Sequence, residues 1–266
     1  MGTIKALLLT AGFGNRLLPL TYSWPKPLMP VQGRPLLEYW ICLLDSLKIR
    51  NILVNIHHHK EIMEEFLSRP QLRKRVSSVY EPKCLGTGGT LFANRDFFRN
   101  ETTMFIHADN WCQCDFQKFI DFHRFNRPQG TLMTMMTFRT SSPKSCGILE
   151  LDSKGIVWEF HEKVKNPPGN LANAAIYLLE PQILDVLYDQ PNVSDFDIEV
   201  LPTLLGKIAT WENTNIHRDI GTLGSLLEAQ NDPKPTIGLL EPDSWQRKFE
   251  KNTISKKLKA LSVAAG

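Results

Sequence analysis

The stretch IKALLLTAGFGNRLLPLTYSWPKP, Ile4 to Pro27, decides how this chain is read. Ile4–Leu9 is an apolar run interrupted only by Lys5, the length and character of a buried strand. Gly12 and Gly14 follow at once, so the backbone leaves the strand where a ligand can come close. A dinucleotide fingerprint needs Gly-x-Gly-x-x-Gly opening a helix. Here Leu17 stands at the third position, and Pro19, Pro25 and Pro27 would break a helix. That reading also needs an acidic residue after the second strand, where the chain has His57-His58-His59. A Walker loop fails because no Gly-Lys-Ser/Thr follows. What remains is a long, proline-stiffened loop with bare amides and two cations, Arg16 and Lys26. Such a loop suits a polyphosphate whose charge grows as a bond breaks.

Beyond the loop, β-rich apolar runs alternate with helical spacing. Strands are predicted at Ile4–Thr10, Asn51–Ile56, Val76–Tyr80, Thr103–His107 and Thr131–Phe138, and helices at Pro35–Leu47, Glu61–Leu67 and Phe116–Phe125. This alternation predicts an α/β fold: a Rossmann-like, mostly parallel central sheet flanked by helices. After Ser141 a hairpin is expected at Gly147–Leu151 and Ile156–Phe160. Strands at Asn173–Leu179, Ile208–Trp211 and Ile216–Ile220 are expected to extend the same sheet, with helices near Pro181–Leu187 and Ile198–Leu205. The boundary falls at residue 230. Residues 231–266 read as a proline-containing linker and a basic amphipathic helix, with Trp245, Phe249, Ile254, Leu258 and Leu261 on one face. That helix is expected to dock on its own domain or on a second subunit, which would make a homo-oligomer. No repeat announces a left-handed β-helix domain.

The net charge of +3 is confined to the tail: six Lys/Arg and three Asp/Glu lie from Glu241 onward, while the body before it is balanced. A nucleic-acid binder would carry its basic excess on the folded body, so that class is set aside. No apolar run is long enough to cross a bilayer, and no secretory leader is evident, so no membrane insertion is expected. Five cysteines, an odd number, read as reduced thiols in the cytoplasm; Cys112-Gln113-Cys114 has no second Cys/His pair to complete a zinc site.

The ordered pattern Gly-x-Gly-x-Arg-x-x-Pro-x-Thr, then Pro-Lys-Pro, closely resembles the signature of the sugar-1-phosphate nucleotidyltransferases. The resemblance runs in order from about residue 3 to 230. Leu85-Gly86-Thr87-Gly88-Gly89 resembles that family's loop around the nucleobase. His107-Ala108-Asp109-Asn110 resembles its metal-bearing strand end, Glu162-Lys163 its sugar-phosphate pair, Asn173-Ala174-Ala175-x-Tyr177 its sugar-contacting strand, and Arg218-Asp219-Ile220-Gly221-Thr222 its closing aspartate motif. The chain departs from the pattern at Thr10, Asn15, Ala108 and Val164, none of which removes a charge that the chemistry needs.

The resemblance implies the nucleotide-diphospho-sugar transferase fold and a reaction. A sugar-1-phosphate oxygen attacks the α-phosphorus of a nucleoside triphosphate and pyrophosphate leaves. The attacking phosphate is already ionised at neutral pH, so no general base is needed; the work is positioning and charge neutralisation. Ala11, Gly12, Gly14, Asn15, Arg16, Lys26, Glu81, Gly86 and Thr87 are implied to bind nucleotide. Arg16, Lys26 and Asp109 are implied to be catalytic, and Asp109 and Asp219 to hold Mg2+, whose preference is for oxygen ligands. Gly147, Glu162, Lys163 and Asn173 are implied to take the sugar phosphate. Glu81, an acceptor only, favours guanine, which offers two adjacent donors. The pattern is closest to mannose-1-phosphate guanylyltransferases. It is similar also to heptose-phosphate guanylyltransferases and to uridylyl- or thymidylyltransferases acting on sugars such as N-acetylmuramic acid or glucose 1-phosphate. A non-catalytic nucleotide-sugar-binding regulatory subunit could have lost Arg16, Lys26, Asp109 or Asp219; all four are present.

Overall fold

The computed structural model describes residues 2–188 and 191–265, with side chains through residue 261. In chain order the first third contains β1 (Ile4–Leu9), β2 (Pro30–Val31), β3 (Arg34–Pro35), α1 (Leu36–Ser46), β4 (Ile52–Ile56), α2 (Lys60–Leu67) and β5 (Val76–Tyr80). Then come α3 (Gly86–Ala93), α4 (Arg95–Phe98), β6 (Thr102–His107), β7 (Asn110–Gln113), α5 (Phe116–Asp121) and β8 (Met133–Arg139). The remainder holds β9 (Gly147–Leu151), β10 (Val157–Glu162), β11 (Leu171–Leu179), α6 (Gln182–Tyr188), β12 (Ile208–Glu212), β13 (Ile216–Asp219), α7 (Leu223–Asn231), α8 (Ser244–Lys251) and α9 (Thr253–Ala265). This is the α/β class that the alternation of patterns predicts. None of the helices among the described residues is long and apolar enough to cross a membrane.

The chain forms two compact units. The first comprises the N-terminal residues through Leu7, Leu85–Ile106 and Cys114–Asn215. Its strand order is β10-β9-β11-β6-β1, with β8 beside β11 and β12 beside β8. β12 runs parallel to β8, as a crossover connection requires, while β11 is antiparallel to β6, β8 and β9. Tyr177 on β11, Phe105 on β6 and Phe196 form a buried aromatic cluster, with ring centroids 5.0 to 5.7 Å apart.

The second unit comprises Leu8–Cys84, His107–Gln113 and Ile216–Gly266. Here β1 ends beside β4, which pairs in parallel with β5. Every residue of β4 is buried, as in a strand covered on both faces, and Asn55 is its one polar side chain. The expectation that Ile216–Ile220 extends the central sheet is not met. Instead β13 pairs antiparallel with β7 in a separate two-stranded ribbon. β7 has no counterpart among the predicted strands, because four residues are too few to show a period.

The basic tail is two helices rather than one, broken at Asn252, whose side-chain Oδ1 accepts from the Ile254 amide at 2.8 Å. Trp245 and Phe249 stack at 5.2 Å and meet Trp24 at 6.4 and 5.9 Å, and Trp245 also meets Phe66 at 5.0 Å. Docking of the tail's described residues on their own unit is thus observed. A buried ion cluster fastens the same place. Glu38, wholly buried, accepts from Arg69 at 2.6 Å and Arg34 at 2.9 Å, and Arg69 also reaches Asp243, the N-cap of α8, at 2.7 Å.

Candidate active site

The loop after β1 is pinned to the end of β4. The Thr10 amide donates to Asn55 Oδ1 at 2.7 Å, and the Thr10 hydroxyl donates to the Asn55 carbonyl oxygen. The loop then folds into three single turns of 3-10 helix, Asn15–Leu17, Leu20–Tyr22 and Lys26–Leu28. Leu17, standing where a dinucleotide fingerprint has its third glycine, is a core anchor 2% exposed. Ala11 is also buried, and Asn15 is exposed in the first turn.

The two glycines have different reasons to be there. Gly14 sits at φ +68, and a Cβ on it would lie 2.8 Å from Thr21 Cγ2 and 3.1 Å from Lys26 Cβ. It is required by the fold and lets the loop close on Lys26. A Cβ on Gly12 would meet nothing within 4 Å. The protein does not need that glycine for its own packing, so the open space there is available to a ligand.

Lys26 is the centre of the site. It is 5% exposed, and its ammonium donates to Asp109 Oδ2 at 2.7 Å and Asp219 Oδ1 at 2.9 Å. The Arg16 guanidinium, largely exposed, donates to Asp219 Oδ2 at 2.5 Å. Burial by itself would lower the Lys26 ammonium, yet the two carboxylates, by charge and hydrogen bond, hold it above the ordinary lysine value. Burial would likewise raise the Asp219 carboxyl, and Lys26 and Arg16 overcome that and hold it below its ordinary value.

What brings these groups together is the ribbon. In its register Asp219 lies opposite Asn110, so Asp219 and Asp109 are neighbours although 110 residues separate them in the chain. Arg218 clamps the ribbon from behind: its guanidinium binds Asp232 in a fork at 2.8 and 3.0 Å and Glu228 at 2.5 Å, and Trp111 Nε1 donates to the same Asp232 at 3.0 Å. A Cβ on Gly221 would lie 2.6 Å from Arg16 Nη2 and 2.8 Å from Asp219 Oδ1, so a side chain there would displace the guanidinium from its aspartate. The donor set fits Mg2+. Both groups are carboxylates, both reach one ammonium, and a hard cation prefers such oxygen ligands.

Glu81 and the histidines stand nearby in the same unit. Glu81 is 2% exposed, and its Oε1 accepts from Asn55 Nδ2 at 3.0 Å. It is a link in the Thr10–Asn55–Glu81 chain. His57 Nδ1 lies 2.8 Å from the Glu81 carbonyl oxygen, while His58 and His59 both approach the Thr21 carbonyl oxygen, at 3.3 and 2.9 Å. The three form a polar strand end.

The first unit carries the remaining expected residues. Leu85–Gly89, read as a loop, instead opens helix α3: Gly86 is at φ +79, and the Gly88 and Gly89 amides donate to the Ser194 carbonyl oxygen at 2.8 and 3.2 Å. Three glycines argue against a helix from sequence alone. They are tolerated because the 193–196 segment lies against them, where a Cβ on Gly86 would come within 2.4 Å of Ser194 O. Thr87 Oγ1 accepts from the Phe196 amide at 2.7 Å.

Gly147 and Glu162 face each other across the β9–β10 pair, and a Cβ on Gly147 would lie 2.6 Å from Glu162 Oε2. Lys163, at φ +49, bonds Glu162 Oε1 at 2.5 Å. That hydrogen bond leads in raising the Lys163 ammonium, against burial and with help from Asp197 and Asp195. Asn173 Nδ2 donates to Tyr177 Oη at 2.7 Å and to Asp197 Oδ1 at 3.4 Å, while its own Oδ1 accepts from the Ala175 amide at 2.8 Å. Tyr177 in turn donates to Asp197 Oδ1 at 2.8 Å. Asp197 therefore belongs with Asn173 and Lys163. Sequence reasoning misses it because only the fold brings it beside Asn173 and Tyr177; its neighbour Asp195 caps the turn that follows.

A family model described as nucleotidyl transferase matches residues 5–234. The mannose-1-phosphate guanylyltransferase of Mycobacterium tuberculosis is 32% identical to this chain over 82% of it and 61% of its own length. The mannose-1-phosphate guanyltransferase of Saccharomyces cerevisiae is 28% identical over 76% of this chain and 56% of its own. This chain thus spans about three fifths of the length of these curated relatives. Among solved structures, HddC from Yersinia pseudotuberculosis, complexed with GMP-PN, superposes with a TM-score of 0.71 at 21% identity, covering 87% of this chain and 99% of that one. That likeness concerns the fold.

Proposed function

This chain belongs to the nucleotidyl transferase family, and from that premise we propose that it transfers a nucleoside monophosphate from a nucleoside triphosphate to a sugar 1-phosphate, releasing pyrophosphate. The observation that carries the reading is the Lys26 ammonium held between Asp109 and Asp219, with Arg16 on the same aspartate. These cations are poised for a triphosphate: Arg16 for the leaving β- and γ-phosphates, with a fork that reaches several oxygens, and Lys26 for the charge developing at the α-phosphate. Asp109 and Asp219 would hold Mg2+. The ion would supply further neutralisation of phosphate charge. The exposed backbone at Gly12 would let the triphosphate approach the loop amides.

On the sugar side, Lys163 would bind the attacking phosphate and Glu162, Asn173 and Asp197 the hydroxyls. No residue need act as a base, because the phosphate monoester is already anionic. We favour GTP and mannose 1-phosphate. The base preference rests on the curated relatives rather than on Glu81, whose carboxylate is engaged by Asn55. Five free thiols suit a reducing compartment, and we place the enzyme in the cytoplasm.

Pyrophosphate release with Mg2+, measured across a panel of triphosphates and sugar 1-phosphates, tests the reading. Release with GTP and mannose 1-phosphate above all other pairs is expected. Release with UTP or dTTP alone would move the base assignment, and no release with any pair would leave a binding protein without catalysis.

A further inference from the structure

The β9–β10 pair of the first unit carries Glu150, Glu159 and His161 on one face. A register shift between Val157 and Glu159 puts them there, with Trp158 as the extra residue of a bulge. In an unbroken ladder Trp158 would stand opposite Glu150. With it left over, Glu159 takes that place, and His161 follows two residues on, on the same face. Phe160 and Glu162 face the other way, where both come within 2.6 Å of a Cβ placed on Gly147.

Two carboxylates directly opposite on an antiparallel pair repel. Among the described residues no ion pair joins Glu150 or Glu159 to a lysine or arginine. What stands between them is His161 Nε2, 2.8 Å from Glu150 Oε1 and 3.8 Å from Glu159 Oε1. Among the described residues this is the one group of three His, Cys, Asp or Glu side chains whose ligand atoms all lie within 4.8 Å of one another. Solvent reaches all three, the side chains of His161, Glu150 and Glu159 being 21, 35 and 45% exposed. Ligand atoms held about 2.1 Å from a tetrahedral Zn2+ lie about 3.4 Å apart. The two distances from Nε2 bracket that value, so small side-chain rotations close the set. One imidazole nitrogen with two carboxylate oxygens suits a borderline transition metal rather than Mg2+ or Ca2+, which take oxygen. The hydrogen bond between Nε2 and Glu150 needs a proton, which an incoming metal ion displaces.

We infer that Glu150, Glu159 and His161 bind Zn2+, with the fourth position open to water. The site lies on the reverse face of the strand that ends in Glu162. The ion would tie β9 to β10 behind the proposed sugar-phosphate residues rather than among them. It shares no residue with the Asp109–Asp219 pair and does not depend on the transfer reaction.

The test is calorimetric titration of Zn2+ into the whole chain after treatment with a chelator, with the thiols kept reduced and Mg2+ in excess throughout. Saturable 1:1 binding is expected. His161→Gln and Glu150→Gln, each leaving a polar side chain, should each weaken it at least about tenfold, since losing a ligand costs no less than losing a group that supports one. Asp219→Asn should leave it unchanged. Co2+ in place of Zn2+ should give a visible d–d absorption that His161→Gln removes, with no thiolate charge-transfer band. Zn2+ should raise the melting temperature of the unmodified chain and not that of His161→Gln. No saturable Zn2+ binding, an affinity unchanged by both hairpin substitutions, or a Co2+ spectrum dominated by thiolate would each overturn the inference. None of these readouts needs turnover, so a failure of the proposed transfer reaction does not touch them.

Discussion

Replacing Lys26 with Met keeps the aliphatic stem packed beside Gly14 and removes only the ammonium. At the 2.7 and 2.9 Å separations seen here, each carboxylate contact carries about 6 kcal/mol of attraction at an effective dielectric of about 20. Much of that is offset by the cost of burying the ammonium. Without it, Asp109 and Asp219 face each other with only Arg16 to neutralise them. Two effects of opposite sign follow. Loss of one preorganised donor to the developing phosphate charge should lower kcat by about 10²–10³, as removal of a single such group does elsewhere. Loss of the competing cation should tighten Mg2+ binding to the nucleotide-free protein by about tenfold, ~1.4 kcal/mol, a fraction of one contact. Steady-state pyrophosphate release reads the first, and calorimetric Mg2+ titration of Lys26→Met against the unmodified chain reads the second. Turnover within tenfold of the original, or weaker metal binding in the variant, would refute the reasoning that Lys26 shares its aspartates with a metal.

Three other outcomes are expected. Asp197→Ala should raise KM for the sugar 1-phosphate at least about tenfold while leaving KM for the triphosphate unchanged, the loss of roughly one charged hydrogen bond; an equal rise in both would make Asp197 a general structural residue. Glu38→Ala should cost about 3–5 kcal/mol in urea denaturation, because Arg69 is left buried and stripped of its closest carboxylate, and a loss under 1 kcal/mol would contradict that. His123 lies against Thr134, Glu180, Arg127 and Arg124, and burial, followed by the two arginines, lowers its pKa to about 3. The unfolded chain therefore binds a proton that the native state refuses between about pH 6.5 and 3. This residue's contribution to stability is fully present above that window and declines as pH falls through it. Denaturation at pH 7 and pH 5 should show the loss, and His123→Gln should flatten it; an unchanged slope would show that His123 is not the group responsible.

Local chemistry is legible in the sequence and distant pairing is not. The Gly12–Gly14 loop, Arg16, Lys26 and both aspartates can be named because each sits in a short motif whose spacing is its own evidence. The device that assembles them, β7 against β13, is invisible locally: Asn110–Gln113 is too short to show alternation, and its partner lies over 100 residues away. Asp197 is hidden for the same reason, since only the fold brings it to Tyr177 and Asn173. Glu81 shows the converse. Its place after β5 is legible by motif, while its hydrogen bond to Asn55 on the neighbouring strand is not. Helix α3 escapes a sequence reading because glycine propensity is a weak prior that close packing against Ser194 overrides.

The central claim is that one ammonium, one guanidinium and two aspartates brought together by the ribbon carry out nucleotidyl transfer. Its most direct test is to follow GTP labelled at the α-phosphate, incubated with mannose 1-phosphate, Mg2+ and the chain. The account predicts label appearing in GDP-mannose with one pyrophosphate released per transfer, and none with Asp109→Ala or Asp219→Ala. Label that stays in GTP with every sugar 1-phosphate, or emerges only as GMP or GDP, would contradict it.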